Sequence, residues 1–179
     1  MSLHHYQEDF MGIDRFFQEA VYHDQTDLNA ASTVEVELYE HTCMYPTFAE
    51  IARQSGHPEV AAMFDAIARE EGEHAELVQK LYGELEVTDT PETQEAKRLV
   101  ATIEAEMEKV ASDPRGLRRA LETALEVESI EATKTYPAFA ALARQQGRED
   151  VALVFDEITR SETRHMNWVQ RALDTLVPA

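Results

Sequence analysis

The chain has 179 residues, with 35 Asp and Glu against 16 Lys and Arg, a formal net charge of −19 and a pI near 4.6. That length and a hydrophobic fraction of 44 % predict one folded domain with a sizeable core rather than a disordered chain. The acidity excludes nucleic acid and anionic membrane as partners, since both are held by basic patches.

The predicted elements are all helices, because apolar residues recur at three- and four-residue spacing and glycine and proline are few. A first helix is expected over 4–22, with Phe10, Ile13, Phe17 and Val21 on one face. Met1 to Phe10 has no apolar signal-peptide core, and no run of about 18 apolar residues exists anywhere. A soluble protein of the cytoplasm or an organelle stroma is therefore expected. Helices follow over 27–55 and 58–84, parted by Gly56, which suits a helix C-terminus, and Pro58, which suits a first turn. Gly83 to Pro91 is the one plausible linker. Thr90-Pro91 and Asp113-Pro114 resemble helix starts, giving a crossover helix over 92–112 and another helix over 115–146. Gly147 ends that helix, and the last runs over 149–176. Pro46 and Pro137 fall inside helical patterns, where proline costs a hydrogen bond and predicts a bend. The single cysteine, Cys43, can form neither an internal disulfide nor a CxxC knuckle and is expected as a small buried residue.

Shifted by 91 residues, the sequence matches itself. Residues 33–79 laid over 124–170 give 23 identities in 47 positions. Tyr45-Pro46-x-Phe48-Ala49-x-x-Ala52-Arg53-Gln54-x-Gly56 recurs from Tyr136 to Gly147. A period this long indicates a duplicated helical hairpin rather than a solenoid. The expected architecture is an all-α four-helix bundle of two hairpins, a single domain over 1–179 with repeats of about 4–83 and 92–176.

Charged residues interrupt the apolar stripes at matching places. One stripe reads Val60, Phe64, Ile67, Glu71, His74, Val78, Leu81, and its copy reads Val151, Phe155, Ile158, Glu162, His165, Val169, Leu173. The preceding helices carry Glu37 with Glu40, and Glu128 with Glu131, on their apolar faces. Residues three apart share a helix face. In an antiparallel hairpin, positions equidistant from the turn lie level. Glu37 and His74 are centred on residues 55 and 56, and Glu128 and His165 on 146 and 147. Six glutamates and two histidines thus converge at mid-bundle. Buried ionised carboxylates must neutralise or find a cation, and six together call for metal. Carboxylates with imidazole suit iron or manganese, and the dimetal four-helix template takes one Glu from each of two helices and Glu-x-x-His from each of the others. Glu71 and Glu162 are the expected bridging ligands. Tyr45 and Tyr136 either hydrogen-bond the ligand carboxylates or serve as core aromatics. His4, His5, His23, His41 and His57 are expected outside the site, with His41 projecting away from the stripe. Gly72, beside Glu71, leaves room at the site on one reading, which Thr163 at the matching position weakens. Charge-rich stretches such as Glu104 to Lys109 are expected as solvated faces.

These motifs resemble the rubrerythrin branch of the ferritin-like superfamily over nearly the whole chain. Glu37-x-x-Glu40-x-x-x-x-Tyr45-Pro46-x-Phe48-Ala49, with Phe64 and Glu71-x-x-His74, looks like the family's second-half signature, and repeat two carries it again. By motif matching, the resemblance implies Glu37, Glu71, His74, Glu128, Glu131, Glu162 and His165 as metal ligands, with Glu40 added by internal symmetry. In rubrerythrins the first half usually lacks that second glutamate. The implied cofactor is a pair of iron ions, oxo- or hydroxo-bridged, with manganese as the other candidate. The implied activity is that of an oxidoreductase reacting with O2 or H2O2. Rubrerythrins often carry a four-cysteine rubredoxin-type module, and one cysteine cannot build it, so an external electron donor is expected. Ferroxidase or iron-handling activity, and a non-catalytic metal-stabilised bundle, are the alternative readings.

Overall fold

The computed structural model describes residues 25–82 and 116–176. The expected helices over 4–22 and 92–112, the linker from Gly83 to Pro91, the stretch from Glu104 to Lys109, and His4, His5 and His23 lie outside the described residues. Among the described residues there is no strand, and four long helical rods are present. The first rod is α1 (Thr26–Tyr39), a π-helical segment (Glu40–Met44) and α2 (Tyr45–Gln54), and the second is α3 (Pro58–Tyr82). The third is α4 (Gly116–Ile130), a second π segment (Glu131–Thr135) and α5 (Tyr136–Gln145), and the fourth is α6 (Glu149–Leu176).

Each hairpin closes through the same device. Gly56 and Gly147 take φ of 80° and 75°, a left-handed conformation that glycine adopts without steric cost. His57 N–H then donates to the Ala52 carbonyl at 2.9 Å and Gly56 N–H to that of Arg53 at 3.0 Å. In the second hairpin Arg148 donates to Ala143 at 2.8 Å and Gly147 to Arg144 at 3.1 Å. These are paired Schellman bonds that satisfy the last carbonyls of the helix. Pro58 opens α3, where its missing N–H has no helical partner to lose.

Where Pro46 and Pro137 predict a bend, the structure has a π segment just upstream of each. Tyr45 N–H reaches back five residues to the Glu40 carbonyl, and Tyr136 N–H to that of Glu131. A new α-helix starts at each tyrosine, so each proline falls in a first turn and breaks no ladder. Thr42 and Thr133 donate their hydroxyls to the carbonyls of Leu38 and Ser129, both at 2.6 Å. The first residue of each π segment is a buried glutamate, Glu40 or Glu131.

Hairpin partners pack along their length, α1 and α2 on α3, and α4 and α5 on α6. The hairpins meet through α3 on α6, with α1 against α5 and α2 against α4. That is the arrangement of a pseudo-twofold axis through mid-bundle. Below the centre each repeat builds the same aromatic trio. Phe64 lies 5.9 Å from Tyr45 and 5.4 Å from Phe48, and Phe155 stands at the same two distances from Tyr136 and Phe139. All six rings are buried, and burial of each phenylalanine contributes about 2–3 kcal/mol. Cys43 is half-buried, not buried as expected, because the π segment turns it toward a groove that it lines with Pro46, Thr47 and Ile51. No described helix is long and apolar enough to cross a membrane.

Candidate metal centre

All six glutamates and both histidines singled out from the sequence are buried, at 4 % exposure or less. Glu37 comes from α1, Glu128 from α4, Glu71 and His74 from α3, and Glu162 and His165 from α6. Two groups of converging donor atoms form. Glu37, Glu71, His74 and Glu162 make one, and Glu71, Glu128, Glu162 and His165 make the other, with all donor atoms of a group within 4.8 Å of each other. Glu71 and Glu162 belong to both groups. Glu40 and Glu131 are buried beside the cluster but belong to neither group.

The geometry fits a metal better than a hydrogen-bond network. His74 Nδ1 has three carboxylate oxygens around it, from Glu71 at 2.8 Å, Glu162 at 3.0 Å and Glu37 at 3.3 Å. His165 Nδ1 has Glu162 at 3.0 Å, Glu71 at 3.2 Å and Glu128 at 3.4 Å. One N–H donates to one acceptor well and cannot serve three. Both Glu71 oxygens, one of Glu128 and one of Glu162 are buried without a hydrogen bond, which native cores avoid. Donors spaced near 3 Å are what a first-row cation presents, since bonds of about 2.1 Å at right angles give an edge of about 3.0 Å.

Electrostatics express the same crowding. Burial, with the repulsion of neighbouring carboxylates, pushes Glu71 up to about 7 and Glu128 up to about 8. Glu40 and Glu131 rise well above the carboxylate range, again through burial and then through repulsion, from Glu131 on Glu40 and from Glu162 on Glu131. Burial alone would lower the two histidines. The carboxylates around them, led by Glu37 at His74 and Glu128 at His165, more than reverse that and raise both. Carboxyls held neutral beside imidazoliums held charged are how a buried cluster adapts when protons stand in for cations.

Tyr45 and Tyr136 do both things the sequence left open. They are core aromatics, and each hydroxyl donates to a carboxylate of the opposite repeat, Tyr45 to Glu128 and Tyr136 to Glu37. Burial and those carboxylates raise both phenols well above their ordinary range, so they remain donors. Tyr136 Oη also stands 3.5 Å from Glu131. His41 lies off the cluster, as expected, with Nδ1 2.6 Å from the Ala68 carbonyl. The room beside Gly72 holds the His41 ring and is not part of the site. A Cβ there would meet that ring at 3.0–3.2 Å. His57 sits in the hairpin turn against Glu59.

The surroundings of His165 hold residues that helical spacing did not single out. Glu70 Oε2 stands 3.1 Å from His165 Nε2, 3.0 Å from the Ser161 hydroxyl and 2.9 Å from Arg164 Nη2. Those three contacts, against the cost of partial burial, hold Glu70 below its ordinary range. The Trp168 ring packs 5.5 Å from the His165 ring. Glu70 adjoins a stripe residue, and its repeat counterpart is Ser161. Two such counterparts meet across a twofold axis, a signal available in the 91-residue shift.

An all-helical bundle whose core holds carboxylates and imidazoles at metal-ligand spacing defines the class, and the chain belongs to the rubrerythrin family, whose model matches residues 28–173. In particular, it is similar to symerythrin of Cyanophora paradoxa, with 68 % identity over 177 residues, 99 % of this chain and 98 % of that one. The crystal structure of that symerythrin, reduced with dithionite, aligns with a TM-score of 0.77 at 67 % identity over 94 % of both chains. Rubrerythrin of Porphyromonas gingivalis is 31 % identical over 126 residues, 68 % of this chain and 52 % of that protein. The fold is thus the ferritin-like bundle, and family and donor set together point to iron binding.

Proposed function

We propose that this protein is a non-haem diiron oxidoreductase of oxidase or peroxidase type, acting on O2 or H2O2. The observation that carries the reading is the pair of four-donor groups sharing Glu71 and Glu162. Two positions that share two carboxylates make a bridged dimetal site. His74 with Glu37 would hold one iron, His165 with Glu128 the other, and Glu71 and Glu162 would span both. Glu40 and Glu131 complete the set as carboxylates beside the cluster, available when the charge at the centre rises. Bound iron would supply the electrons for O–O cleavage.

The protein's own part is steric and electrostatic. The cluster residues, each exposed at 4 % or less, leave no room for a bulky reactant, which favours one the size of O2 or H2O2. Tyr45 and Tyr136 hold Glu128 and Glu37 in place through their hydroxyls, and each keeps a proton at Oη beside the reacting space. Burial of the carboxylates excludes bulk water and strengthens every charge interaction within the cluster. Reducing equivalents would come from an external one-electron donor.

The test is metal analysis of the isolated protein, then anaerobic reduction and mixing with H2O2 or O2. Two irons per chain and a rise in near-ultraviolet absorption on mixing are expected. Unchanged absorption would sink the redox reading. Saturation well above two irons per chain would favour storage instead.

A further inference from the structure

The metal-facing residues obey the repeat's symmetry, and the residues behind the two histidines do not. Position 70 of α3 is glutamate, and its counterpart on α6 is Ser161. Arg164 corresponds to Glu73, and Trp168 to Leu77. All three replacements differ around one imidazole. His165 Nε2 faces the Glu70 carboxylate at 3.1 Å, and Arg164 pairs with that carboxylate at 2.9 Å. Trp168 covers the His165 ring at 5.5 Å. The carboxylates that pair with His74 among the described residues, Glu37, Glu71 and Glu162, do so at its Nδ1, and the residue that matches Glu70 by the repeat is Ser161.

From this geometry we infer that Glu70 is a positioning residue that makes the two halves of the centre inequivalent, strengthening His165 as a ligand relative to His74. The inference rests on the dimetal reading above. A carboxylate accepting from the far nitrogen of an imidazole fixes the tautomer that leaves the near nitrogen as donor, fixes the ring's orientation, and raises its basicity. Loss of such a partner typically weakens metal binding about 10–100-fold. Arg164 holds the Glu70 carboxylate in place, and Ser161 bonds it from the same helix as His165. The His165 half therefore binds metal first, and the His74 half is the one that fills, empties or changes ligands more readily.

Zinc is the probe, being redox-inert and diamagnetic. Calorimetric titration of the metal-free protein should show two steps differing about 10–100-fold. Glu70→Ser, which installs the residue repeat two carries there, should weaken the tighter step until the two merge. Glu70→Gln retains a hydrogen-bond acceptor without the charge and should narrow the gap only in part, so the inference stays testable if Glu70→Ser fails to fold. In zinc-loaded Glu70→Gln, the nitrogen-15 resonance of His165 Nε2 should move while that of His74 stays, which a general loosening of the fold would not produce. Glu70→Ser combined with Ser161→Glu should transfer the tighter step to the His74 half. Two equal steps in the unaltered protein, or an unchanged gap in Glu70→Ser, would overturn the inference and leave the dimetal reading intact. Fewer than two zinc ions per chain would overturn both.

Discussion

The Tyr45 hydroxyl donates to the Glu128 carboxylate, 83 residues away in the other repeat. Tyr136 returns the contact by donating to Glu37. Each hairpin thus braces a carboxylate of its partner, and neither half has a fully supported set by itself. Tyr45→Phe leaves a buried carboxylate oxygen without its donor, which costs about 1–3 kcal/mol. Urea melts of the metal-free protein should show that loss, and Tyr136→Phe should match it because the environments are duplicates. Metal affinity should fall about 10–100-fold in each variant. Unchanged melts and unchanged affinity in both would show that the hydroxyls do not bear on the cluster.

Sharing of Glu71 and Glu162 between the two donor groups predicts that glutamate substitutions differ in kind. Glu37→Ala removes a donor from one group only, and Glu162→Ala removes one from both. Metal analysis should therefore find one metal retained in Glu37→Ala and fewer than one per chain in Glu162→Ala. Helicity by circular dichroism should change little in either, since both helices are long and packed along their length. Retention of two metals in Glu162→Ala would contradict its place between the sites.

Much of this arrangement was legible in the sequence because helical spacing and hairpin registry are geometric. The level pairing of Glu37 with His74 needed only the turn at Gly56, and Glu37 Oε2 stands 3.3 Å from His74 Nδ1. Pro46 and Pro137 mark an irregularity in the helical pattern, but a π segment has no residue signature of its own, so they predicted a bend and not the change of register that the structure has. Glu70 was hidden for a different reason. It adjoins Glu71 and lies off the apolar stripe, so helical spacing did not single it out, whereas its carboxylate stands against its own counterpart, Ser161, where α3 meets α6. The space beside Gly72, left open by the sequence, is filled by His41 from the π segment, whose register cannot be read from α-helical spacing.

The cluster also fixes how the metal-free protein responds to pH. Glu71 and Glu128 are raised from an ordinary value of 4.5 to about 7 and about 8. A carboxyl whose pKa is higher folded than unfolded binds its proton more tightly in the fold. Its contribution to stability is fully present below pH 4.5 and is lost as pH rises through 7 to 8. The raised histidines act in the same direction. Urea melts of metal-free protein should lose on the order of a few kcal/mol across that window, and saturating metal should abolish the trend by replacing the protons. Metal-free protein that gains stability from acid to neutral pH would contradict a buried carboxylate cluster.

The His41 and Gly72 pair offers a test of packing beside the Glu and His cluster that leaves the cluster residues intact. A Cβ at Gly72 would lie 3.0 Å from His41 Nδ1 and 3.1 Å from Cε1, and the ring is held by its bond to the Ala68 carbonyl. Repeat two solves the same space in the opposite way, with Ala132 where His41 stands and Thr163 where Gly72 stands. Gly72→Thr should therefore destabilise the protein, because the ring must give way by a few tenths of an ångström against its bond to Ala68, even though helical glycine itself costs up to about 1 kcal/mol relative to alanine. In a His41→Ala background the same substitution should be neutral or stabilising, since the clash is gone and the propensity gain remains. A double-mutant cycle by urea melts should give a coupling of about 1–2 kcal/mol. Additive effects would mean that the ring does not occupy the space beside Gly72 in solution.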